Sequence, residues 1–204
     1  MKHITILAAA MLMLMGCCRE ARHPENPVNT NPMESALNNI FTRVSVREFT
    51  GEKISDAQVE TLLRAGMSAP SAINRQPWAF IVVNDEAQLA RLAETFPYSR
   101  CGNHPAIAII PCGDLTKAIE GDGQNFWIND VSAATENILL AAHAMGLGAV
   151  WTGLHPTDRY KQAQELLGLP EHIVPLCIIP VGVPAEQPEV KDKFKEENIH
   201  YNQW

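Results

Sequence analysis

The sequence lacks the short motifs that mark several common catalytic mechanisms. It has no GxGxxG dinucleotide fingerprint, no P-loop, no GxSxG nucleophile elbow and no HExxH zinc motif. Its histidines stand singly, and none lies within helical reach of a second histidine or of a set of metal partners. We therefore predict no metal site. Acid–base chemistry by a pair of carboxylates stays open, although nothing in the sequence singles out a pair. If the chain is an enzyme, we expect a bound cofactor to supply the difficult chemical step.

Basic runs and ordered cysteine spacings are also missing. Sixteen Lys and Arg residues stand against twenty-three Asp and Glu residues, and the net charge of −7 makes nucleic acid an unexpected partner. The five cysteines form no CxxC pair and are too sparse for a disulfide framework. Cys101 and Cys112 flank one predicted strand, which would hold them too far apart to pair. With 46% hydrophobic residues in a chain of 204, we expect one globular domain.

The first sixteen residues have the pattern of a signal peptide. Lys2 precedes an apolar stretch of about a dozen residues, which is shorter than the roughly 20 that a transmembrane helix needs. The sequence Leu14-Met15-Gly16-Cys17 then resembles a bacterial lipobox, in which the cysteine carries the lipid. We expect an exported cell-envelope lipoprotein that is anchored to a membrane through Cys17. The alternative is an ordinary secretory leader that happens to end beside a cysteine.

A tether and one folded domain are predicted to follow the leader. Residues 17–32 are rich in Pro and Asn and have no apolar period, as is typical of a linker. The folded domain is predicted to span residues 33–204. Its helices are predicted at 33–42, 55–68, 86–95, 124–145 and 157–167, and its strands at 78–84, 104–112, 148–154 and 174–182.

This alternation of helices with apolar strands predicts an α/β or α+β fold whose sheet is covered on both faces. The remaining segment, residues 183–204, is polar and unlike a segment that folds on itself. It nevertheless ends in Tyr201 and Trp204. Because large aromatic side chains normally pack against something, we expect this tail to lie on another subunit.

The segment RVSVREF, residues 43–49, alternates polar and apolar side chains. In an extended chain Arg43, Ser45 and Arg47 lie on one side, and Val44 and Val46 lie on the other. Two guanidinium groups and a hydroxyl suit a phosphate, because arginine binds it through short, charge-assisted hydrogen bonds. The alternative is a surface edge with solvated arginines.

Two further segments could contact a ligand. The loop APSAINRQPW, residues 69–78, presents Ser71, Asn74 and Gln76 on a backbone that its prolines restrain, although an ordinary connection would have a similar composition. In GLGAVWTGL, residues 146–154, glycines would let the backbone approach a flat ring closely. The alternative is that these glycines only mark the ends of a strand.

Together and in this order, these segments resemble the nitroreductase family of FMN-dependent oxidoreductases. The family patterns are Arg-x-Ser-x-Arg/Lys, PSA-x-N-x-QPW, GLG-x-x-W-x-G, and a basic residue after G-x-P, and they match from about residue 35 to the end of the chain. The resemblance implies an α+β fold with a nitroreductase-like central mixed β-sheet covered by helices. It also implies a homodimer in which a C-terminal extension reaches the other subunit.

The resemblance further implies one FMN at each of two sites built from both chains. The groups implied at the phosphate are Arg43, Ser45, Arg47 and Lys193, with the Val44 backbone beside it and Lys191 as a further candidate. Those implied at the flavin ring, from the partner chain, are Pro70, Ser71, Ala72 and Asn74, with Gln76 supporting the loop. Thr152 and Gly153 fall where the family offers a backbone N–H to flavin N5, although some relatives carry an acidic residue in place of Thr152.

The implied activity is hydride transfer from NAD(P)H through FMN to a small electron-poor acceptor, either a nitroaromatic or a quinone-like compound. An exported location leaves the physiological donor open, since reduced nicotinamide is not freely expected outside the cytoplasm. Two other classes of function stay open at this point. One is a lipid-anchored flavin-binding or sensing protein without significant turnover, and the other is an interaction module without flavin.

Overall fold

The computed structural model of the chain describes residues 32–204. The predicted signal peptide, the lipidation residue Cys17 and the tether up to residue 31 lie outside these residues. Within residues 32–204, no helix has both the length and the apolar character that crossing a membrane requires.

Five helices are present where the periodicity predicts them, with ends that differ by at most two residues. They are α1 Pro32–Thr42, α2 Asp56–Met67, α3 Glu86–Thr95, α4 Phe126–Ala144 and α5 Arg159–Leu167. The predicted capping box at the start of α2 is confirmed: Gln58 N donates to Ser55 Oγ over 3.3 Å, and Ser55 N donates to Gln58 Oε1 over 2.9 Å. This exchange gives hydrogen-bond acceptors to two backbone N–H groups that have no partner within the helix.

One sheet of six strands lies at the centre of the domain. The strands are β1 Trp78–Val83, β2 Ile107–Asp114, β3 Gly148–Ala149, β4 Thr152–Gly153, β5 Ile173–Pro175 and β6 Cys177–Gly182. Their order is β1-β2-β6-β3, with β4 also paired to β6 and β5 to β2. The predicted α+β class is confirmed. Every strand pair in residues 32–204 is antiparallel, whereas the resemblance implied a mixed sheet, and the tail adds no strand to the sheet of its own chain.

The strand predicted at 148–154 is interrupted by a proline on its neighbour. β3 and β4 keep one continuous register against β6, in which Pro180 stands opposite Val150. Val181 O accepts from Ala106 N on the β2 side, so the backbone groups of Pro180 face Val150. Because proline has no N–H, the ladder is broken there.

The strand predicted at 174–182 is likewise divided, at Leu176. The carbonyl of Leu176 accepts from Leu154 N over 3.0 Å and from His155 N over 3.1 Å, while its N–H donates to Pro111 O over 2.9 Å. Leu176 therefore links three segments of chain instead of continuing one ladder.

The strand predicted at 104–112 begins three residues later, at Ile107. His104 has a left-handed φ of 56° and Pro105 follows it, so neither residue continues a regular strand.

Helices cover both faces of the sheet, as predicted. Along β2, Ile107 and Ile109 pack with α2 and α4, whereas Ala108 and Ile110 pack with α3 and α5. This alternation follows from the two-residue side-chain period of a strand. The sheet edge at β3 and β4 is the part of the domain that positions the candidate site.

Candidate active site

Segment 43–49 lies between β3 and the beginning of the tail. Val46 N donates to Ala149 O over 3.1 Å, and Ala185 N donates to Glu48 O over 2.9 Å. Phe49 also forms an isolated bridge with Pro184. The fold of one chain thus brings together the arginine-containing segment, the GLGAVWTGL segment and the tail.

Gly148 permits this close approach. A Cβ atom built on Gly148 would lie 2.6 Å from Val46 Cγ1, well inside van der Waals contact. Val46 is buried and points toward β3. A side chain at position 148 would therefore displace segment 43–49 from the sheet edge.

A cleft of about 500 Å³ opens beside this segment. It gathers residues from 43–47 with residues of the tail: Phe41, Arg43, Val44, Ser45, Arg47, Pro188, Glu189, Val190, Lys191 and Lys193. The residues that the resemblance assigns to phosphate thus meet in one place. Val44 lines the cleft as well, where the resemblance implies its backbone, and together with Val46 it also lines a second, smaller pocket. The sequence did not single out Glu189, whose carboxylate adds a negative charge.

The two arginines of the cleft are held differently. Arg43 Nε lies 3.1 Å from Glu136 Oε1 on α4, and the Arg43 side chain is only 19% exposed. Arg47 is exposed and donates from Nη1 to Ser45 O over 3.2 Å. Arg43 is consequently anchored to the helix layer, while Arg47 belongs to the rim.

His143 lies next to Arg43 at the end of α4. Thr42 Oγ1 donates to Asn38 O over 2.6 Å, so His143 Nε2, at 2.9 Å, is the donor to that hydroxyl. Burial lowers the pKa of His143, and the charge of Arg43 lowers it further. The neutral imidazole therefore connects α1 and α4 behind the cleft.

The loop at 70–76 is held by its own side chains and by α4. Gln76 N donates to Ser71 Oγ over 2.9 Å, and Gln76 Nε2 donates to Asn74 Oδ1 over 3.0 Å. Ala72 N donates to the buried Asp130 Oδ1 over 2.8 Å. No residue of this loop lines the cleft of its own chain. Its predicted contribution from the partner chain stays a prediction.

Three residues without the freedom of glycine adopt left-handed backbone conformations in this loop. The φ angles are 44° at Ile73, 59° at Asn74 and 51° at Gln76. The value is unusual for a β-branched residue such as Ile73, whose side chain is 76% exposed. The loop therefore has a specified shape that local preference alone would not produce.

The backbone of β4 is open on the side that faces segment 43–49. Thr152 Oγ1 donates to Ile178 O over 2.7 Å, so this hydroxyl is occupied within the sheet. Backbone groups of successive residues in a strand point alternately toward and away from the neighbouring strand. Those of Ala149 and of Gly153, four residues later in the same register, point away from β6, and Ala149 O already accepts from Val46 N. Gly153 N–H thus points from the same edge, and a Cβ there would meet nothing within 4 Å.

The cysteines in the described part of the chain are not activated for reaction. Cys101, Cys112 and Cys177 are free and buried. Burial raises the pKa of the Cys112 thiol to about 12, and it also raises the pKa values of the other two. Within residues 32–204, no group of three or more His, Cys, Asp or Glu side chains is arranged to hold a metal ion.

Two acidic residues of α4 were not singled out from the sequence. Glu136 binds Arg43, and Asp130 binds the loop at Ala72. Asp130 offered a signal, because it shares a helix face with Ala134 and Ile138, both of which are fully buried. A carboxylate on an apolar helix face needs a partner. Glu136 is half-buried and offered no such signal.

Comparison with known proteins identifies the family of the chain. The family model described as "Nitroreductase family" matches residues 40–97 and 101–183. This chain belongs to the nitroreductase family. A relative in Archaeoglobus fulgidus, named "Putative NADH dehydrogenase/NAD(P)H nitroreductase", is 41% identical over 84% of this chain and 100% of its own length.

Solved structures agree with this nitroreductase assignment. A protein of the same name from Bacteroides thetaiotaomicron has a TM-score of 0.78 and 45% identity, over 83% of this chain and 98% of that one. An FMN-dependent nitroreductase from Clostridium difficile has a TM-score of 0.73 and 26% identity, over 82% and 99% of the two chains. The family match ends at residue 183, so Lys191 and Lys193 lie beyond it.

Proposed function

We propose that this nitroreductase is an FMN-dependent enzyme that transfers hydride from NAD(P)H to a small electron-poor acceptor, such as a nitroaromatic or a quinone. The observation that carries the proposal is the cleft in which Arg43, Ser45 and Arg47 meet Lys193. Its chemistry suits the phosphate of FMN, and its place at the β3–β4 edge suits a ring that lies along that edge.

The cleft matches a phosphate dianion in charge and in donors. Arg43, Arg47 and Lys193 supply cations in a chain whose net charge is −7, and Ser45 adds a hydroxyl. Hydrogen bonds to charged groups contribute about 1.5–3 kcal/mol each. Lys191, which also lines the cleft, is a further cation there. Glu189 also lines the cleft, and its negative charge opposes this attraction.

The β3–β4 edge matches a flat ring. Val46 is bound at Ala149, and Gly153 lies four residues farther along the same register, roughly 13 Å away at 3.3 Å per residue. The outward N–H of Gly153 and the absence of a side chain there allow a ring to approach the backbone. Thr152 is uncharged and bonded to β6, so it leaves this edge without an acidic group.

When bound, FMN would supply the redox chemistry, since it can accept a hydride from NAD(P)H and deliver a hydride to the acceptor, with any further proton taken from water. The side chains of this protein bind and orient it. The neutral, buried thiols would stay outside the reaction, and Arg43, Ser45, Arg47 and Lys193 in the cationic cleft would hold the phosphate end of the cofactor. No side chain has to transfer a proton in this scheme.

We further propose a homodimer in which loop 70–76 contributes to the partner's site, while the tail, whose Lys193 lines the cleft of its own chain, also packs on the partner. Exposed apolar side chains on both α1 and the tail support this assembly, among them Phe41 and Phe194. The lipobox-like sequence supports export and membrane anchoring through Cys17. The predicted domain division, 1–16, 17–32 and 33–204, belongs to the same proposal.

Anaerobic reduction of the purified, flavin-loaded protein tests the activity. NADH or NADPH should remove the visible absorbance of the bound flavin, and a nitroaromatic or a quinone added afterwards should restore it. The donor that reduces the flavin faster identifies the nicotinamide preference. The same concentration of FMN without protein is the control for reduction of free flavin.

The alternatives give different results in the same experiment. A yellow protein whose absorbance NADH and NADPH leave unchanged would be a flavin-binding or sensing protein. A colourless protein that takes up no FMN would have neither function, and the proposal would then fail as a whole.

A further inference from the structure

We propose that Asp130 is a positioning residue, which holds loop 70–76 in the conformation that contacts the flavin ring. Asp130 Oδ1 accepts from Ala72 N over 2.8 Å, across 58 residues of sequence. The inference rests on the proposed function, because it assigns a role in the FMN site to a residue that would not touch FMN.

The burial of Asp130 indicates that its hydrogen bond to Ala72 N has a structural role. The residue is 6% exposed and shares its helix face with fully buried apolar side chains. A carboxylate is disfavoured in such surroundings unless it is hydrogen-bonded or paired. The N–H of Ala72 provides that partner, and through it the rigid helix α4 holds the first residue of the 72–74 turn.

The conformation of the loop requires such an external constraint. Left-handed residues without glycine's freedom persist only where the surrounding structure determines them, and this loop has them at 73, 74 and 76. The Ser71–Gln76 hydrogen bond closes the loop upon itself but attaches it to nothing else. Asp130 supplies the attachment to the core.

The same part of α4 also supports the other ring-facing segment. Trp127, one turn before Asp130, packs edge-on against His155 with ring centroids 5.0 Å apart, and His155 follows Gly153 by two residues. The first turns of α4 therefore hold both the 70–76 loop and the chain that leaves β4. A shift at Asp130 would move the loop without moving the cationic cleft, which Glu136 anchors farther along the helix.

Three variants of the full chain test the role of Asp130. Asp130→Ala removes the acceptor, and Asp130→Asn keeps an acceptor oxygen without the charge. Ala72→Pro removes the donor and is compatible with the chain before it, since Ser71 is extended at φ −140° and ψ 155°. Dissociation constants for FMN and for riboflavin, together with the visible spectrum of the bound flavin, are measured for each.

We expect Asp130→Ala and Ala72→Pro to weaken the binding of FMN and of riboflavin by a similar factor, about tenfold or more, because both ligands share the ring contacts. The spectrum of the bound flavin should move toward that of free flavin. Asp130→Asn should stay within about threefold of the wild type, since it preserves the hydrogen bond. The Asp130→Ala/Ala72→Pro double variant should be no weaker than either single variant.

Gln164→Ala serves as the matched control. It removes another long-range bond from a side chain to the backbone, Gln164 Nε2 to Ile173 O at 2.9 Å, which does not involve the loop. It should lower the melting temperature without changing the spectrum or either dissociation constant. If Asp130→Ala does not fold, a loss of flavin binding in Ala72→Pro but not in Ala72→Gly decides the outcome, because Ala72→Gly changes the side chain and keeps the N–H that donates to Asp130.

Several results would overturn the inference while leaving FMN dependence intact. Flavin binding that is unchanged in folded Ala72→Pro protein would show that the bond does not position the loop. A loss of affinity for FMN but not for riboflavin would place the effect at the phosphate. A loss of affinity in Asp130→Asn equal to that in Asp130→Ala would show that the charge of Asp130, and not its hydrogen bond, is responsible. A wild-type chain that binds neither flavin would instead contradict the proposed function itself.

Discussion

Arg43 and Arg47 share one cleft but are suited to different tasks. Arg43 is bound through Nε to Glu136, so its orientation is set before any ligand arrives. Arg47 is exposed and bonded only locally, to Ser45 O. Preorganised donors bind without a large loss of side-chain freedom, whereas exposed ones adjust to the ligand. We expect Arg43 to define the place of the phosphate and Arg47 to close over it.

Removal of one cation from the cleft should weaken FMN and not riboflavin. In Arg47→Ala and Lys193→Ala, the loss of one charge-assisted bond predicts FMN affinity that is about ten- to a hundredfold lower. Riboflavin, which lacks the phosphate, should bind as it does to the wild type. Fluorescence titration with both flavins measures the ratio.

Lys195→Ala provides the control for this comparison. Lys195 lies on the same exposed tail, 3.9 Å from Glu197, and does not line the cleft. It should leave both affinities unchanged. Equal losses of FMN and riboflavin in the Arg47 or Lys193 variants would contradict the assignment of the phosphate.

His143 and His155 predict a loss of stability in acid. Burial lowers the pKa of both side chains in the folded protein from an ordinary value of 6.5, and Arg43 adds to the effect at His143. The unfolded chain therefore binds more protons as the pH falls below about 6.5, which favours unfolding. The stability that the two neutral histidines contribute is complete above about pH 6.5 and is lost as the pH falls below that value. Urea midpoints measured between about pH 7.5 and pH 5 should decline.

His143→Gln tests the origin of this decline. Glutamine can still donate to Thr42 Oγ1 but does not titrate. Its urea midpoint should therefore fall less steeply in the same pH range. A slope identical to that of the wild type would show that His143 does not contribute.

Helix α4 organises the site at the scale of secondary structure. From its beginning to its end, Trp127, Asp130, Glu136 and His143 contact the chain after β4, the 70–76 loop, Arg43 and Thr42, respectively. A helix with its backbone bonds satisfied internally is a rigid frame for such contacts. One element thus sets the relative positions of segments that are far apart in sequence.

The contact between β3 and segment 43–49 should not tolerate a side chain at Gly148. Gly148→Ala would place Cβ 2.6 Å from Val46 Cγ1, and overpacking of this kind costs about 1–3 kcal/mol. We expect a lower melting temperature and weaker FMN binding, because segment 43–49 carries the phosphate ligands. Thermal unfolding and flavin titration measure the two effects.

A second substitution separates crowding from other causes. Val46→Ala removes the clashing Cγ1 and Cγ2 methyl groups but keeps Cβ 2.8 Å from the new atom, so the Gly148→Ala/Val46→Ala protein should recover part, and not all, of the FMN affinity that Gly148→Ala loses. Gly153→Ala is the control for stability, since a Cβ there meets nothing within 4 Å. A double variant no better than Gly148→Ala would show that the Val46 contact is not the cause.

Large apolar side chains are exposed at two places on the surface of the domain. Apolar side chains are exposed on α1 and on the tail, and Trp204 is 99% exposed. Within residues 189–204 every residue is exposed, and the regular structure there is a short turn at Glu196–Asn198. Large exposed apolar groups favour association, and a symmetric dimer would cover both surfaces reciprocally.

Deletion of residues 185–204 should weaken the dimer and the binding of FMN together. The segment holds both the exposed aromatic residues and Lys193. Lys193→Ala should lower FMN affinity alone, because it leaves the aromatic residues in place. Light scattering gives the mass of each variant, and the flavin-to-protein absorbance ratio gives its loading. A truncated protein that stays dimeric and fully loaded would contradict both roles of the tail.

The lipobox-like sequence predicts the place of the whole molecule in the cell. Cys17→Ser should release the domain from the membrane without unfolding it, because lipid attachment requires the thiol. Membrane fractionation after a high-salt wash measures the distribution. Ser45→Ala, which alters a position outside the leader, should sediment as the wild type does. Complete sedimentation of Cys17→Ser would contradict the anchor.

Much of this protein follows from local patterns in its sequence. The apolar periods of α1–α5 and the Ser55–Gln58 capping box act within a few residues of chain, so the helices can be predicted almost to their ends. The motifs at 43–47, 70–78 and 146–153 indicate a family because their order along the chain is specific. Family membership, and with it the α+β class, could be inferred before any contact was known.

Tertiary structure decided what depends on partners far away in the chain. Pro180 divides the strand at 148–154 only because the register places it opposite Val150. Asp130 and Glu136 gain their roles from Ala72 and Arg43, which are distant in sequence. Lys193 shares a cleft with Arg43 only because the tail turns back beside segment 43–49. Such pairings reflect the packing of the whole chain, which no local pattern of residues specifies.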